Sequence, residues 1–366
     1  MEYRKLPHGG EEFSVIGLGM GSINETPNER IPDVLERALA AGVNYLDICP
    51  SEARPLEAYA PFVNEHRDEL YLQMHFGADY GSGKYGWTRS LDAMKRTFEG
   101  QLDLFGTDHT DMGYVHCIDQ EADFENVMVE GGLWDYLCEL KRQGVIRHLG
   151  FSTHEARIAY RFLDTGMVDM CMFSINPTYD FGSDGQVSAE RADLYRMCDK
   201  MGVGIAAMKT FGGAQLLDAR RSPFGRAFTV PQLFQYALDR PGVLCVLPGI
   251  RGMRDLEDAL AYLDATERQR DYSNLIAGAC DEVDGTCVYC THCHPCPAGI
   301  DIALVNKYYD LALLGDEMAR GHYEKLSVKA DACTACGHCD GRCPFHVAQS
   351  ARMAQIDRYF AASDCR

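Results

Sequence analysis

Short apolar runs alternate with amphipathic stretches from about residue 14 to residue 265. Eight of the runs have the length and composition of buried β-strands. The predicted strands are Ser14–Gly19, Asn44–Cys49, Leu70–Phe76, Asp111–Ile118, Ile146–Ser152, Val168–Ile175, Val203–Met208 and Val243–Leu247. Between them, apolar residues recur every three or four positions, as a helix with one buried face requires. One such predicted helix carries Leu91, Met94, Phe98, Leu102 and Phe105.

The number and order of these elements predict the fold class. The other predicted helices are Ile31–Ala41, Asp123–Arg142, Glu155–Asp164, Glu190–Lys200, Val230–Asp239 and Asp255–Asp264. Eight strand–helix units in about 250 residues are typical of an α/β protein with a (β/α)8 TIM barrel. A doubly wound sheet is the alternative. It is less favoured because Gly17-Leu18-Gly19-Met20-Gly21 is followed by Ser22 and does not complete Gly-x-Gly-x-x-Gly.

The pattern changes after the predicted barrel, which we assign to residues 1–265. Residues 266–279 begin polar and charged and are predicted to be a linker. Residues 280–366 contain two short helical patterns, Asp301–Leu314 and Val347–Phe360, and two tight runs of cysteine. We therefore expect a small, mainly helical second domain that is organised around its cysteines.

Eight of the sixteen cysteines lie in these two runs. The second run is Cys333-x-x-Cys336-x-x-Cys339-x-x-x-Cys343-Pro344, the ferredoxin spacing for a 4Fe–4S cluster. The first run, Cys287-x-x-Cys290-x-x-Cys293-x-x-Cys296-Pro297, is one residue shorter before its last cysteine. The two runs together predict two 4Fe–4S clusters.

The pairing of ligands follows from two-cluster ferredoxins, in which the fourth cysteine of each run ligates the other cluster. One predicted cluster is held by Cys287, Cys290, Cys293 and Cys343. The other is held by Cys333, Cys336, Cys339 and Cys296. Zinc is the alternative, since Cys-x-x-Cys pairs also build tetrahedral zinc sites. A histidine ligand is a further alternative, because His292, His294 and His338 lie within the runs.

Polar residues close most of the predicted strands, where the chemistry of a TIM barrel is located. Three of them, Asp47, His75 and His116, form the predicted catalytic set. Histidine titrates near neutral pH and suits proton delivery, and an aspartate can orient an imidazole and stabilise its charged form. The other polar residues at these strand ends are Ser152, Thr153, His154, Asn176, Lys209 and Arg251.

Glycine-rich segments follow the last two predicted strands, where barrels commonly bind phosphate. The residues we expect there are Lys209, Gly212, Gly213, Gly249, Arg251 and Arg254. Backbone N–H groups in such loops bind phosphate oxygens, and the arginines can add charge-assisted hydrogen bonds. The segments therefore predict a phosphate-bearing cofactor.

The net charge is 35 − 54 = −19, which disfavours nucleic acids and anionic membranes as partners. No stretch approaches the roughly 20 apolar residues of a membrane helix. The first residues have no apolar segment typical of a signal peptide. We therefore expect a cytoplasmic protein with a small-molecule substrate, whose cysteines do not form disulfides.

Several segments together carry a family resemblance: Met1–Leu6 with Gly17–Met20, Gly42–Asp47, Tyr114–His116, Gly144–Ser152, Asn176-Pro177, Pro248–Arg251 and the two cysteine runs. With these segments the chain resembles the aldo/keto reductase family, in particular its members with ferredoxin-like tails. The resemblance implies a barrel that binds extended NADPH and reduces carbonyls with aspartate, tyrosine, lysine and histidine. Asp47 and His116 match two of these positions, whereas Glu52 replaces the tyrosine and His75 replaces the lysine.

The resemblance also implies cofactor contacts, some of which differ in this chain. Ser152 matches the serine that binds the nicotinamide amide, and Thr153 stands where the family has asparagine. Met172 and Met208 replace a glutamine and a tyrosine on the nicotinamide side, while Gly249 and Arg251 match the phosphate side. The chain keeps the phosphate contacts and loses much of the nicotinamide contact.

The sequence leaves three functions open. In the first, NADP(H) or a flavin binds in the barrel, and the clusters relay single electrons to a ferredoxin or flavodoxin-type carrier. In the second, the clusters reduce a carbonyl or an aromatic or ether substrate in the barrel without nicotinamide. In both, Asp47, His75 and His116 handle protons. The third is a non-catalytic redox sensor.

Overall fold

A computed structural model describes residues 1–181, 188–273, 285, 287, 293–313, 317–343 and 346–362. The residues group into two compact units. The first contains Met1–Ile175, Ala189–Thr210 and Leu233–Arg270, and the second contains Asn176–Ser188, Phe211–Gln232 and Asp271–Arg366. Two segments that lie within the predicted barrel sequence thus group with the C-terminal residues, whereas the predicted domain boundaries run linearly along the chain.

Eight parallel strands form the barrel of the first unit and follow one another in chain order. They are β3 (Leu18–Gly19), β4 (Tyr45–Ile48), β5 (Tyr71–Phe76), β8 (Thr110–Val115), β9 (Ile146–Thr153), β10 (Met170–Ser174), β11 (Gly204–Met208) and β12 (Val243–Val246). Parallel bridges from Ile16 to Val246 and from Gly19 to Gly249 join the first strand to the last. The (β/α)8 prediction is confirmed.

Two antiparallel pairs stand beside the barrel strands. One is the N-terminal hairpin of β1 (Tyr3–Lys5) and β2 (Glu12–Ser14). The other pairs β6 (Ala78–Asp79) with β7 (Gly86–Trp87) directly after β5. The first predicted strand, 14–19, is therefore shared between the end of β2, the bridge at Ile16 and the short β3.

The helices of the first unit mostly follow the predicted pattern. They are Ile31–Ala40, Arg54–Glu65, Leu91–Phe105, Glu121–Val127, Leu133–Gln143, Ala156–Leu163, Ala189–Met201, Met253–Leu260 and Glu267–Arg270, together with Val230–Leu238, whose first three residues group with the second unit. The predicted helix 123–142 is two helices, because Gly131 takes a positive φ of 73° and Gly132 is extended. Glu267–Arg270 falls in the predicted linker, of which residues 274–279 lie outside the described residues.

Apolar side chains fill the barrel interior. Tyr45, Met112, Tyr114 and Met170 are fully buried in one cluster there. Phe13, from the N-terminal hairpin, packs edge-on against Tyr45 with ring centroids 5.0 Å apart. The interior is a packed core, so the open chemistry of the unit lies at the strand ends.

A charged cluster around Asp169, directly before β10, also stabilises the first unit. The carboxylate of Asp169 accepts hydrogen bonds from the Leu149 amide at 3.0 Å and from the Lys141 ammonium. The ring of His148 lies between Asp169, at 3.6 Å, and Glu11, at 2.9 Å. Burial alone would raise the pKa of Asp169, but the hydrogen bonds from His148 and Lys141 lower it to about 2.

The described part of the second unit contains α-helices joined by irregular segments and short 3-10 turns. The α-helices that lie wholly within it are Pro177–Asp180, Ile302–Leu313, Glu317–Glu324 and Gln349–Ala361. Tyr323 stacks on Phe360 with ring centroids 3.7 Å apart, in a core that also contains Cys293 and Cys339. Across the described residues of both units, no helix has the length and apolar character needed to span a membrane.

Candidate functional site

Asp47 and His75 meet at the C-terminal ends of adjacent barrel strands. The β4–β5 register places Asp47 beside Gln73, and His75 follows two residues later on the same side of β5. The Asp47 Oδ1 atom lies 2.7 Å from His75 Nε2, and Gln73 Nε2 donates to the same oxygen at 2.9 Å. Gln73 is held in turn by the Tyr45 hydroxyl, which donates to its Oε1 atom at 2.6 Å. Asp47 therefore orients the His75 ring.

A second histidine and a tyrosine continue this line of contacts. His116 directly follows β8, and its Nδ1 atom lies 3.0 Å from Nδ1 of His75. The other ring nitrogen of His116, Nε2, lies 2.7 Å from the hydroxyl of Tyr85. Asp47, His75 and His116 are each about 5% exposed, whereas Tyr85 is half-buried. The structure thus brings the three predicted catalytic residues into one hydrogen-bonded chain that ends at Tyr85.

The β6–β7 hairpin carries Tyr85 to this position. Gly77 allows the chain to turn directly after β5, since its φ is +127° and a Cβ atom there would lie 3.0 Å from the Cβ of His116. The Tyr85 amide donates to the Ser51 carbonyl at 3.1 Å. The neighbouring Lys84 forms an antiparallel bridge with Glu52. These contacts hold the hairpin against the loop after β4.

Glu52 stands where the family resemblance leads one to expect a tyrosine, but its side chain is turned into an ion-pair network. Its two oxygens lie 3.0 Å from Lys84 Nζ and 3.0 Å from Arg54 Nε. The hydrogen bonds from Lys84 and then from Arg54 lower the pKa of the Glu52 carboxyl. Glu52 is therefore suited to hold the hairpin, and Tyr85 supplies a phenol from a different segment. Sequence reasoning missed Tyr85, and its signal was an aromatic pair, Tyr80 and Tyr85, in a short glycine-rich loop after a strand.

A cysteine lies beside the two histidines. The sulfur of Cys49, which follows β4, lies within 4.8 Å of a ring nitrogen of both His75 and His116. The Tyr80 hydroxyl donates to this sulfur at 3.8 Å. Burial and the charge of Asp47 raise the pKa of the Cys49 thiol, and the positive charge of Lys209 opposes them. Cys49 is a buried thiol that borders the site.

Several predicted cofactor residues of the barrel unit already have partners. Ser152 Oγ accepts from the Cys117 amide at 2.7 Å, and the Thr153 hydroxyl donates to Asp119 at 3.0 Å. Arg251 forms two hydrogen bonds with the Asp255 carboxylate, at 2.7 and 2.9 Å, and the pKa of Arg251 is raised by this contact. Phosphate binding by Arg251 would have to compete with Asp255.

The remaining predicted cofactor residues have the following places. Lys209 follows β11 in a left-handed conformation with φ of 60°, and the side chain of Arg254 is exposed. Gly249 bridges to Gly19 where the barrel closes. In the second unit, Gly212 and Gly213 have positive φ values of 55° and 63°. Asn176 caps the short helix Pro177–Asp180 by accepting from the Tyr179 amide at 3.2 Å.

A cavity in the second unit joins the two cysteine runs. It is lined by Cys296 of the first run together with Cys333, Cys336 and Cys339 of the second. The Ala335 amide donates to the sulfur of Cys333 at 3.4 Å. His338 also lines the cavity, and its buried Nε2 atom has no hydrogen-bond partner. Four sulfurs and a buried unpaired nitrogen around one space form a donor set suited to a metal group.

The other predicted ligand set is described in part. Cys287 and Cys293 are buried, Cys343 is half-buried, and Cys290 lies outside the described residues. Of the histidines within the runs, His294 accepts from the Ile302 amide at 3.0 Å and caps the helix Ile302–Leu313. His292 lies outside the described residues.

Comparison with known proteins identifies the barrel. The protein tas of Escherichia coli (strain K12) and that of Shigella flexneri are each 24% identical over 263 residues, which cover 62% of this chain and 75% of each relative. The holo form of the aldo-keto reductase AKR11C1 from Bacillus halodurans has a TM-score of 0.61 at 18% identity. The match covers 76% of this chain and 97% of that chain. Residues 15–233 match the family model described as "Aldo/keto reductase family". The chain belongs to the aldo/keto reductase family.

Proposed function

We propose that this protein is an iron–sulfur oxidoreductase that reduces a small carbonyl-type substrate in its barrel. Membership of the aldo/keto reductase family supports the oxidoreductase class. The single observation that carries the proposal is the cavity in which Cys296 meets Cys333, Cys336 and Cys339. It supports the exchange of fourth ligands that the spacing of the two runs predicts.

The cavity residues fit a 4Fe–4S cluster better than a zinc ion. Four cysteines, two of them half-buried and one exposed, line this cavity. A tetrahedral zinc ion would need its four sulfurs about 2.3 Å from one point. No set of three sulfurs from these four lies within 4.8 Å of one another in the described part of the chain. The wide spacing favours a group larger than a single ion.

When bound, two such clusters supply electrons one at a time, and the residues around the barrel mouth supply protons. The Tyr85 hydroxyl donates a proton to the substrate oxygen. His116 Nε2 returns a proton to Tyr85, and the His75–His116 contact of 3.0 Å allows the replacement proton to come from His75. Asp47 stabilises the doubly protonated, charged form from which His75 gives up this proton, because its carboxylate lies 2.7 Å from Nε2.

In the preferred form of the proposal, the barrel also binds a phosphate-bearing redox cofactor, NADP(H) or a flavin. The support is the family match and the loop conformations at Gly212 and Gly213. The contact between Arg251 and Asp255 favours a second candidate, in which the clusters reduce the substrate without nicotinamide. A ferredoxin or flavodoxin-type carrier would deliver electrons in that case.

Turnover of the cluster-loaded protein tests the proposal. Anaerobic protein is mixed with reduced ferredoxin, dithionite or NADPH and with a panel of carbonyl, aryl and ether compounds. We expect consumption of reductant with at least one compound, and a loss of about a hundredfold or more in His75→Ala and His116→Ala. If no compound is reduced with any donor, the redox-sensor function replaces the enzyme. If both variants keep full turnover, the proton pathway is wrong.

A further inference from the structure

We propose that Cys49, His75 and His116 form a binding site for a thiophilic divalent metal, with Zn²⁺ as the best match, and that the metal and the proton pathway exclude each other. The three residues follow β4, lie on β5 and follow β8, so three neighbouring strand ends converge on one point. Their ligand atoms lie within 4.8 Å of one another. Each side chain is about 5% exposed.

The two imidazoles are oriented as metal ligands are. Their Nδ1 atoms face each other at 3.0 Å, close to the separation of roughly 3.3 Å expected between two nitrogens on one tetrahedral zinc ion. Each opposite nitrogen is held by an outer partner, Asp47 at 2.7 Å for His75 and Tyr85 at 2.7 Å for His116. A carboxylate or similar partner behind each ligating histidine is the usual arrangement in zinc proteins.

Cys49 supplies the third ligand and sets the choice of metal. A sulfur and two imidazole nitrogens suit zinc, whereas magnesium and calcium prefer oxygen. The sulfur has to approach the nitrogens by roughly 1 Å or less to reach zinc–ligand distances. On binding, the Cys49 thiol loses its proton to solvent, and the thiolate forms the bond to the metal. Three protein ligands leave a fourth position for water or a substrate oxygen.

The exclusion follows from the proton positions. Zinc needs a lone pair on Nδ1 of His116, which places the ring proton on Nε2. In that tautomer Nε2 can give its one proton to Tyr85, but His116 cannot then take a replacement proton through Nδ1, because Nδ1 is bound to the metal. The metal also occupies the space between the two Nδ1 atoms through which the proton would pass. This part of the inference rests on the proposed function, whereas the binding of the metal does not.

Zinc absorption spectroscopy of the cluster-loaded protein tests the site without any activity. One equivalent of Zn²⁺ is added anaerobically, excess is removed, and the zinc edge is measured separately from iron. We expect two nitrogen ligands at about 2.0–2.1 Å and one sulfur at about 2.3 Å. Cys49→Ser should show no sulfur ligand and should bind zinc more than about tenfold more weakly. That loss of affinity exceeds the smallest loss, about tenfold, that follows from removing a hydrogen-bond partner of a metal ligand. An unchanged circular dichroism spectrum and unfolding transition show that the barrel of the variant is folded.

A matched control is Cys138→Ser, a half-buried cysteine on the helix Leu133–Gln143, which should bind zinc like the wild type. His116→Gln is the second variant and should lose one nitrogen ligand. Zinc surrounded by four sulfurs, no retained zinc, or equal binding by Cys49→Ser would overturn the site. If zinc binds as expected and turnover with a reducible substrate persists, the exclusion is wrong. If zinc binds and no substrate is ever reduced, the proposed function fails and the metal site stands.

Discussion

Replacement of Tyr85 by phenylalanine removes one oxygen atom from the end of the proposed proton pathway. That oxygen lies 2.7 Å from Nε2 of His116 and belongs to a half-buried ring. Loss of a hydrogen bond of this kind costs about 0.5–1.5 kcal/mol of stability. Loss of a general acid costs about 10²–10⁴-fold in turnover, or roughly 3–5 kcal/mol in the barrier. The rate effect should therefore exceed the stability effect.

Tyr80→Phe is the matched control, because Tyr80 lies on the same hairpin and its hydroxyl donates to the Pro50 carbonyl at 3.0 Å. Both variants are compared by urea unfolding and by single-turnover oxidation of the reduced, cluster-loaded protein in H₂O and D₂O. We expect similar unfolding, slow turnover only in Tyr85→Phe, and a solvent isotope effect on the wild-type step. Equal turnover by the two variants would refute the role of Tyr85.

Three further predictions concern other parts of the chain. Asp169→Asn should lower the unfolding free energy by about 1–2 kcal/mol at neutral pH, after allowance for solvent screening. The reason is that burial raises the pKa of this carboxyl, but hydrogen bonds, the largest from His148, outweigh burial and lower the pKa from 3.8 to about 2. The wild-type advantage should be lost as the pH falls from about 4 to 2, and urea titrations at several pH values would show a constant difference if this is wrong. Arg251→Ala should weaken NADPH or FMN binding by about ten- to a hundredfold, and Asp255→Asn should strengthen it in fluorescence titrations, whereas no change in either would remove Arg251 from the cofactor site. We expect the unpaired Nε2 of His338 to donate a hydrogen bond to cluster sulfur, which raises the reduction potential, so His338→Leu should shift that potential to a more negative value in a redox titration. An unchanged potential would contradict the hydrogen bond.

The barrel could be predicted because its strands after the short β3 are buried, mostly apolar runs of strand length. Two details of the helices could not be predicted from the sequence. The helix Arg54–Glu65 contains Pro61 in its interior, which weakens a helical pattern, and tertiary packing overrides it. The predicted helix 123–142 is interrupted by Gly131, whose left-handed backbone is a local choice that apolar spacing does not report.

The candidate-site residues at the strand ends could be predicted from the sequence, whereas a residue that a separate loop brings to the site could not. Asp47, His75 and His116 each close an apolar run, so their convergence follows from the barrel itself. Tyr85 lies in a hairpin with little apolar pattern, and its position depends on the pair Glu52–Lys84, which joins residues 32 positions apart. Such a contact depends on the folded geometry of both loops, which periodicity along the chain does not contain.

The most direct test of the account is the iron and sulfide content of anaerobically prepared protein, measured together with its Mössbauer spectrum for the wild type and for Cys296→Ser. The cavity that Cys296 shares with Cys333, Cys336 and Cys339 predicts about eight iron and eight sulfide per chain in the wild type. In the variant, the cluster bound by the second run should be lost or altered, while the other remains. Stoichiometric zinc without sulfide, or a variant with both clusters unchanged, would contradict the account.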